Sequence, residues 1–311
     1  MSTPSQPYPY AYFKTEVVPI AEAQISIMSK VVQYGLGWFG GIRGYISADK
    51  TELHLFRLDD HVTRFLQSAA ILGVSIPYSH AELKDIIVDL TARNHPKVDT
   101  YFRPFAFSDS TDLSPSLIQN PVFAFALYMM PLGDYLPTTT GNAVCVSSWR
   151  RPSDNAIPSR AKISGAYVNS ALAKQEAVKN GFAEAIMLDE QGQVTEGTAM
   201  NLFIVRNGTL ITPAASSDIL EGITRRTVFQ IAHDLGISTQ ERAVDRSELY
   251  VSDEAFFCGT GAQIAWIDSI DRRAIGSSVM GPITRRISDV FYATVHGTHD
   301  AYRHWLTSVP V

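Results

Sequence analysis

The chain has 311 residues, 45% hydrophobic and 18% charged, with a formal net charge of −5 and a sequence pI near 5.9. Such a chain can bury a large core and divide into two domains. An acidic balance without clustered Lys and Arg gives no general attraction for nucleic acid or an anionic membrane, so a small-molecule ligand is expected.

The first half opens as strands. "ELHLF" (52–56) leads into "RLDDHVTRFLQSAAILG", where Val62, Phe65, Leu66, Ala69 and Leu72 recur at helical spacing and Gly73 supplies a stop. Ser79 and Glu82 form a capping box ahead of a second helix, and "TYFRPFAF" and "VFAFALYMM" then read as strands. Proline, glycine and threonine accumulate in "PLGDYLPTTTGN" (131–142), which marks an interdomain link over 131–137. The expected division is a small α/β domain over 1–130 and a larger, ligand-binding domain over 138–311.

In the second half, "EAIMLDEQGQVTEG" and "NLFIVRNGTLITP" read as strands, the second a hairpin on an Asn207-Gly208 turn. "GITRRTVFQIAHDLG" reads as a helix between Gly222 and Gly236. "EAFFCG" is a strand running into Gly259-Thr260-Gly261, and a last helix starts at Gly281-Pro282. Mixed strands and helices in two lobes predict α+β or mixed α/β architecture rather than a doubly wound sheet.

Several motifs lead nowhere. Gly35-Leu36-Gly37-Trp38-Phe39-Gly40 matches G-x-G-x-x-G, but a strand-like stretch follows instead of the helix a pyrophosphate needs. The Gly259-Thr260-Gly261 turn has no lysine after it and is no P-loop, though its amides suit a phosphate. His296, His299 and His304 lack zinc spacing and read as a solvated segment, so no metal site is expected; no G-x-S-x-G is present. Cys145 and Cys258 are too few for a disulfide framework. The opening MSTPSQPYPYAY has no basic n-region or apolar h-region, and no apolar run reaches membrane-spanning length, which together predict a cytoplasmic protein.

"IPSRAKISGAYVNS" (157–170) sets one lysine, Lys162, among small side chains. A solvated lysine, with a reference pKa of about 10.4, is protonated at neutral pH and cannot attack a carbonyl; burial frees its lone pair for a Schiff base. Taken alone, the segment more commonly describes a solvent-facing lysine before a helix. Its company suits pyridoxal phosphate (PLP). Glu196, in "VTEGTAMNLF", is placed to pair with a pyridine nitrogen or to be a turn glutamate. Gly222-Ile223-Thr224 offers amides and a hydroxyl at a helix start, for an anion or as plain capping, and Arg57 precedes another helix.

At these residues the chain resembles the fold-type IV (class IV) PLP-dependent aminotransferases, of the D-amino acid aminotransferase-like fold, and among them the bacterial branched-chain amino acid enzymes. The resemblance runs from about residue 12 to 305 through "YGLGWFGGIR", "LFRLDDHVTRF", "TYFRPF", "SSWRRPSDNAIPSRAKISGAYVNS", "DEQGQVTEGTAMNLF", "LEGITRRTV" and "FFCGTGAQI", in the family's order. It implies that Lys162 binds the cofactor and shuttles the substrate proton, and that Glu196 pairs with the ring nitrogen. It further implies that Arg57, Ile223, Thr224 and Thr260 hold the phosphate, with Tyr167 beside the cofactor phenol oxygen. Tyr101 and the amides at Thr260, Gly261 and Ala262 would meet the substrate carboxylate, and Arg103 the distal carboxylate of glutamate or 2-oxoglutarate. Tyr34, Phe39, Tyr135 and Tyr167 would wall the side-chain pocket.

The activity so implied is transfer of the amino group of branched-chain and other hydrophobic L-amino acids to 2-oxoglutarate. The alternatives are (R)-amine or D-amino acid transaminase, aminodeoxychorismate lyase, or a silent binding protein of the same fold. A homodimer or higher homo-oligomer is implied, completed by a partner loop within 108–120. Two departures stand out: Gly40 replaces the family glutamate, and Leu132 stands where some members have tryptophan. Both predict a roomier pocket, with the direction of Trp38 open.

Overall fold

A computed structural model describes residues 6–311; the first five residues of the Pro/Tyr-rich opening lie outside the described residues. The chain divides into two units. Unit 1 comprises residues 1–133, 161–166 and 294–311, and unit 2 comprises 134–160 and 167–293. The chain passes from unit 1 to unit 2 after Gly133. Residues 161–166 and 294–311, expected in the second domain, belong instead with unit 1, because backbone pairing ties them there.

In unit 1 the order is β1 (Tyr10–Phe13), β2 (Glu16–Pro19), α1 (Lys30–Tyr34), β3 (Gly37–Phe39), β4 (Ile42–Ile46), β5 (Glu52–Phe56), α2 (Leu58–Ile71), α3 (His80–Asn94), β6 (Thr100–Ser108) and β7 (Phe123–Pro131). Every pairing in its sheet is antiparallel, in the order β5-β4-β6-β7-β1-β2 with β3 also on β6. Strand β6 alternates: Phe102 is buried in the core while Tyr101 and Arg103 lie on the other face, as a two-residue side-chain period requires. Helix α3 carries the expected capping box of Ser79 and Glu82. Helices α2 and α3 place Val62, Phe65, Ala69, Leu83, Ile87 and Leu90 in the same core as Phe102, Phe125 and Leu127.

In unit 2 follow β8 (Asn142–Arg150), α4 (Tyr167–Lys179), β9 (Glu184–Leu188), β10 (Val194–Gly197), β11 (Asn201–Arg206), β12 (Thr209–Thr212), α5 (Ile223–Asp234), β13 (Thr239–Glu241), α6 (Arg246–Leu249), β14 (Glu254–Gly259), β15 (Gln263–Ile270), β16 (Arg273–Ala274) and α7 (Pro282–Val295), whose last two residues count with unit 1. The sheet runs β10-β9-β8-β15-β14-β11-β12-β13. β8 and β9 are parallel with α4 between them in sequence, as are β12 and β13 with α5, since parallel neighbours need a crossover and helices supply it. Asn207 and Gly208 take φ of 50° and 75° in the β11–β12 hairpin, the left-handed pair that its two-residue turn demands.

The chain then returns to unit 1. Strand β17 (Leu306–Pro310) pairs antiparallel with β5 through five residue pairs and completes that sheet. Residue Ile163 bridges to Trp38 in β3. His296, His299 and His304 each meet an aromatic ring, those of Tyr45, Tyr302 and Trp305, while His296 and His304 stay exposed, as expected of a solvated segment. Among the described residues, no group of three or more His, Cys, Asp or Glu could hold a metal ion, and no helix is long and apolar enough to cross a membrane.

Candidate active site

The candidate residues form two sets, one in each unit. In unit 1, Lys162 sits beside the bridge residue Ile163, a short turn ahead of α4. Its carbonyl accepts the Phe39 N–H at 3.0 Å and its own N–H donates to Ser68 Oγ at 3.2 Å. A neighbouring bond from Ser164 N–H to the Gly37 carbonyl, 2.8 Å, extends the tie to β3. The Lys162 Nζ lies 5.2 Å from the Phe39 ring centroid, within cation–π range.

Phe39 serves a second cation. Arg103 Cζ is 4.4 Å from the same centroid, and its Nη2 donates to Tyr101 Oη at 3.1 Å. Tyr101 owes the seat of its hydroxyl to a glycine: a Cβ at Gly41 would lie 2.1 Å from that oxygen. Lys162, Phe39, Tyr101 and Arg103 are thus brought together, an amine beside an aromatic floor with a guanidinium and a phenol close by.

Arg57 closes β5 and caps α2 in the left-handed region, φ 50° and ψ 46°. Its Nε donates to Asp60 Oδ2 at 2.6 Å, and the Arg57 side chain is 13% exposed. Tyr34, expected in a pocket wall, donates its hydroxyl to the Leu113 carbonyl at 2.7 Å and is 39% exposed. The same 108–120 loop is knotted by Lys30, fully buried, whose Nζ donates to the carbonyls of Ser116 (3.0 Å) and Gln119 (3.1 Å) and pairs with Asp112 (3.1 Å). Trp38 is fully buried against Phe65 and Phe123 and adds nothing to a pocket. At Gly40 a Cβ would lie 2.7 Å from Pro104 Cγ, so proline occupies the space and the missing glutamate leaves no void there.

In unit 2 the centre is Glu196 on β10, 4% exposed. A buried carboxylate is tolerated only when paired, and this one is held from several sides. Arg151 Nη2 lies 2.8 Å from Oε1, Asn201 Nδ2 donates to Oε2 at 2.9 Å, and the Leu220 N–H donates at 3.3 Å. Arg151 and Asn201 are absent from the sequence-based expectations, although the burial expected of a working carboxylate demands partners and both residues sit inside quoted motifs.

Asn201 also fixes the start of α5. Its Oδ1 would lie 2.0 Å from a Cβ at Gly222, the N-cap, which no side chain caps. Ile223 and Thr224, 1% and 4% exposed, open that helix, whose N-terminal amides suit an anion. Across the turn after β14, Gly261 would meet Tyr135 Cβ at 3.7 Å if it carried a Cβ, and Gln263 Nε2 donates to Asp134 at 2.9 Å. Ala262 is buried beside Gly261. Burial, with Glu184 and Tyr167 nearby, pushes the Tyr135 phenol up to about 12, so it stays protonated at neutral pH. Tyr167 opens α4.

In unit 1 a lysine on an aromatic floor, and in unit 2 a buried carboxylate held by a guanidinium and a helix start without a side-chain cap, are each groups suited to PLP. The chain belongs to the class IV aminotransferases, whose family model matches residues 46–270. It is 42% identical over 301 residues, 96% of each chain, to a probable branched-chain-amino-acid aminotransferase of Aquifex aeolicus. Among solved structures it is similar to the branched-chain aminotransferase of the archaeon Thermoproteus uzoniensis with norvaline (40% identity, TM-score 0.92, covering 97% of this chain and 99% of that one). It is also similar to the T.th. branched-chain amino acid aminotransferase complexed with N-(5'-phosphopyridoxyl)-L-glutamate (38% identity, TM-score 0.90, covering 96% and 98%). These likenesses carry the fold-type IV architecture expected from the sequence.

Proposed function

We propose that the protein is a PLP-dependent transaminase that moves the amino group of branched-chain and other hydrophobic L-amino acids to 2-oxoglutarate. The observation that carries this reading is the nearly full-length likeness to branched-chain aminotransferases, two of them captured with norvaline or a glutamate adduct of the cofactor. PLP, when bound, supplies an electron sink for charge developing at the substrate Cα. Lys162 would hold the cofactor, and its amine would carry the proton taken from the substrate Cα. Glu196, held by the donors of Arg151 and Asn201, would receive the ring nitrogen of the cofactor.

Arg57, Ile223, Thr224 and Thr260 bind the phosphate, and Tyr167 holds a hydrogen bond to the phenol oxygen. Tyr101 with the amides at Gly261 and Ala262 orients the substrate carboxylate; Arg103, held in place on Phe39, receives the distal carboxylate of glutamate. Phe39 and Tyr135 exclude water from the aliphatic chain. A pocket of this kind discriminates weakly, one methylene being worth roughly 1–3 kcal/mol.

The active form is a homodimer, and the reading is supported by the outward-facing Leu113 and Ile118 of the 108–120 loop, 83% and 79% exposed. Two reduced thiols, Cys145 and Cys258, suit a cytoplasmic setting. The test is a panel of leucine, phenylalanine and (R)-1-phenylethylamine against 2-oxoglutarate and pyruvate. Leucine with 2-oxoglutarate should turn over fastest; release of pyruvate without an acceptor, or turnover of the amine alone, would overturn the assignment. Mass spectrometry after borohydride reduction should find the adduct on Lys162.

A further inference from the structure

Arg57 ends a column of flat groups. The His299 and Tyr302 rings lie 4.9 Å apart at 18°, Tyr302 and Trp305 lie 4.2 Å apart at 4°, and Arg57 Cζ lies 4.9 Å from the Trp305 centroid. The Trp305 ring also meets Phe56 edge-on, 6.2 Å apart at 82°. Its main-chain carbonyl accepts the Arg57 N–H at 2.6 Å, and the next five residues are β17, paired along β5 up to Phe56. The arginine backbone is left-handed, a conformation that costs a residue with a Cβ and persists only where its surroundings hold it.

A guanidinium set over an indole face at this distance is held there by cation–π attraction. Asp60 takes the Nε edge, so the fork is oriented by two fixed neighbours rather than by rotamer chance. We propose that Trp305 is a positioning residue for cofactor phosphate: it sets the Arg57 fork before the ligand arrives, and by this preorganisation raises affinity for the phosphorylated cofactor. This rests on the reading of Arg57 as a phosphate ligand.

The test titrates apoenzyme with PLP and, separately, with pyridoxal, which lacks the phosphate, reading the bound chromophore by absorbance. Trp305→Ala keeps the main-chain carbonyl and removes the ring; Trp305→Leu keeps bulk without the π face, should the alanine variant fold poorly. Either should weaken PLP roughly tenfold while pyridoxal changes less than about twofold, the scale of a partly buried cation–π contact. Trp305→Phe should restore most of the PLP affinity. Arg57→Ala is the reference. If it abolishes the preference for PLP over pyridoxal while Trp305→Leu leaves that preference intact, the role of Trp305 is refuted and that of Arg57 stands. If Arg57→Ala itself leaves the preference intact, the phosphate assignment fails and this inference with it. Equal losses for both ligands in Trp305→Leu would mark a purely structural ring and overturn the proposal.

Discussion

The Arg151–Glu196 pair offers a quantitative check on the site. Arg151→Met preserves length and removes the charge, leaving Glu196, 4% exposed, without its guanidinium and dependent on donors such as Asn201 and Leu220. Breaking one side of a buried pair costs roughly 3–5 kcal/mol. Arg151 is 14% exposed and Glu196 keeps donors, so the lower end, about 3 kcal/mol, applies to the apoprotein. Glu196→Gln strands the arginine instead and should cost a similar amount or slightly less, since Arg151 Nε also donates to the Asp218 carbonyl at 3.2 Å. The double variant removes both charges, so its loss should fall well short of the sum of the two singles, with a coupling of about 2 kcal/mol. Urea unfolding of the four apoproteins measures it. A loss below about 1 kcal/mol for Arg151→Met, or additive losses in the cycle, would show that the carboxylate does not depend on the arginine.

Two further outcomes are expected. Lys30→Met deprives the Ser116 and Gln119 carbonyls and Asp112 of their donor, and hydrogen bonds to a charged group are worth about 1.5–3 kcal/mol each; limited chymotrypsin digestion should cut after Leu113 roughly tenfold faster, and an unchanged rate would deny Lys30 its hold on the loop. Burial raises the Cys145 thiol from 9.0 to about 11, so the unfolded chain ionises first as the pH climbs. Stability from this group is complete below pH 9, and roughly 2–3 kcal/mol is lost between pH 9 and 11. Cys145→Ala should flatten that part of the pH–stability curve; an unaltered slope would contradict it.

Much of this is legible in the sequence because local chemistry agrees with the final fold. β5, the capping box on α3, the Asn207-Gly208 hairpin and the Gly222 start of α5 each rest on a few adjacent residues. What escapes depends on long-range contacts. The return of residues 306–310 to β5 has no local signature, since a strand's partner is chosen by the sheet edge left open rather than by its own residues. Tyr34 is picked out by its motif, whereas the partner of its hydroxyl, the carbonyl of Leu113, lies far along the chain. Glu196 is found by its motif, whereas Arg151 and Asn201 become visible only once its burial requires partners. Gly40 reads as lost bulk, yet Pro104 fills the space.

The pairing of residues 306–310 with 52–56 also has a consequence for synthesis. Unit 1 begins early in translation but lacks one sheet strand, and Arg57 lacks its neighbouring indole, until the ribosome has made the whole of unit 2 and moved beyond it. The nascent protein therefore carries an incomplete sheet edge at residues 52–56, and an Arg57 without its indole, through most of its elongation.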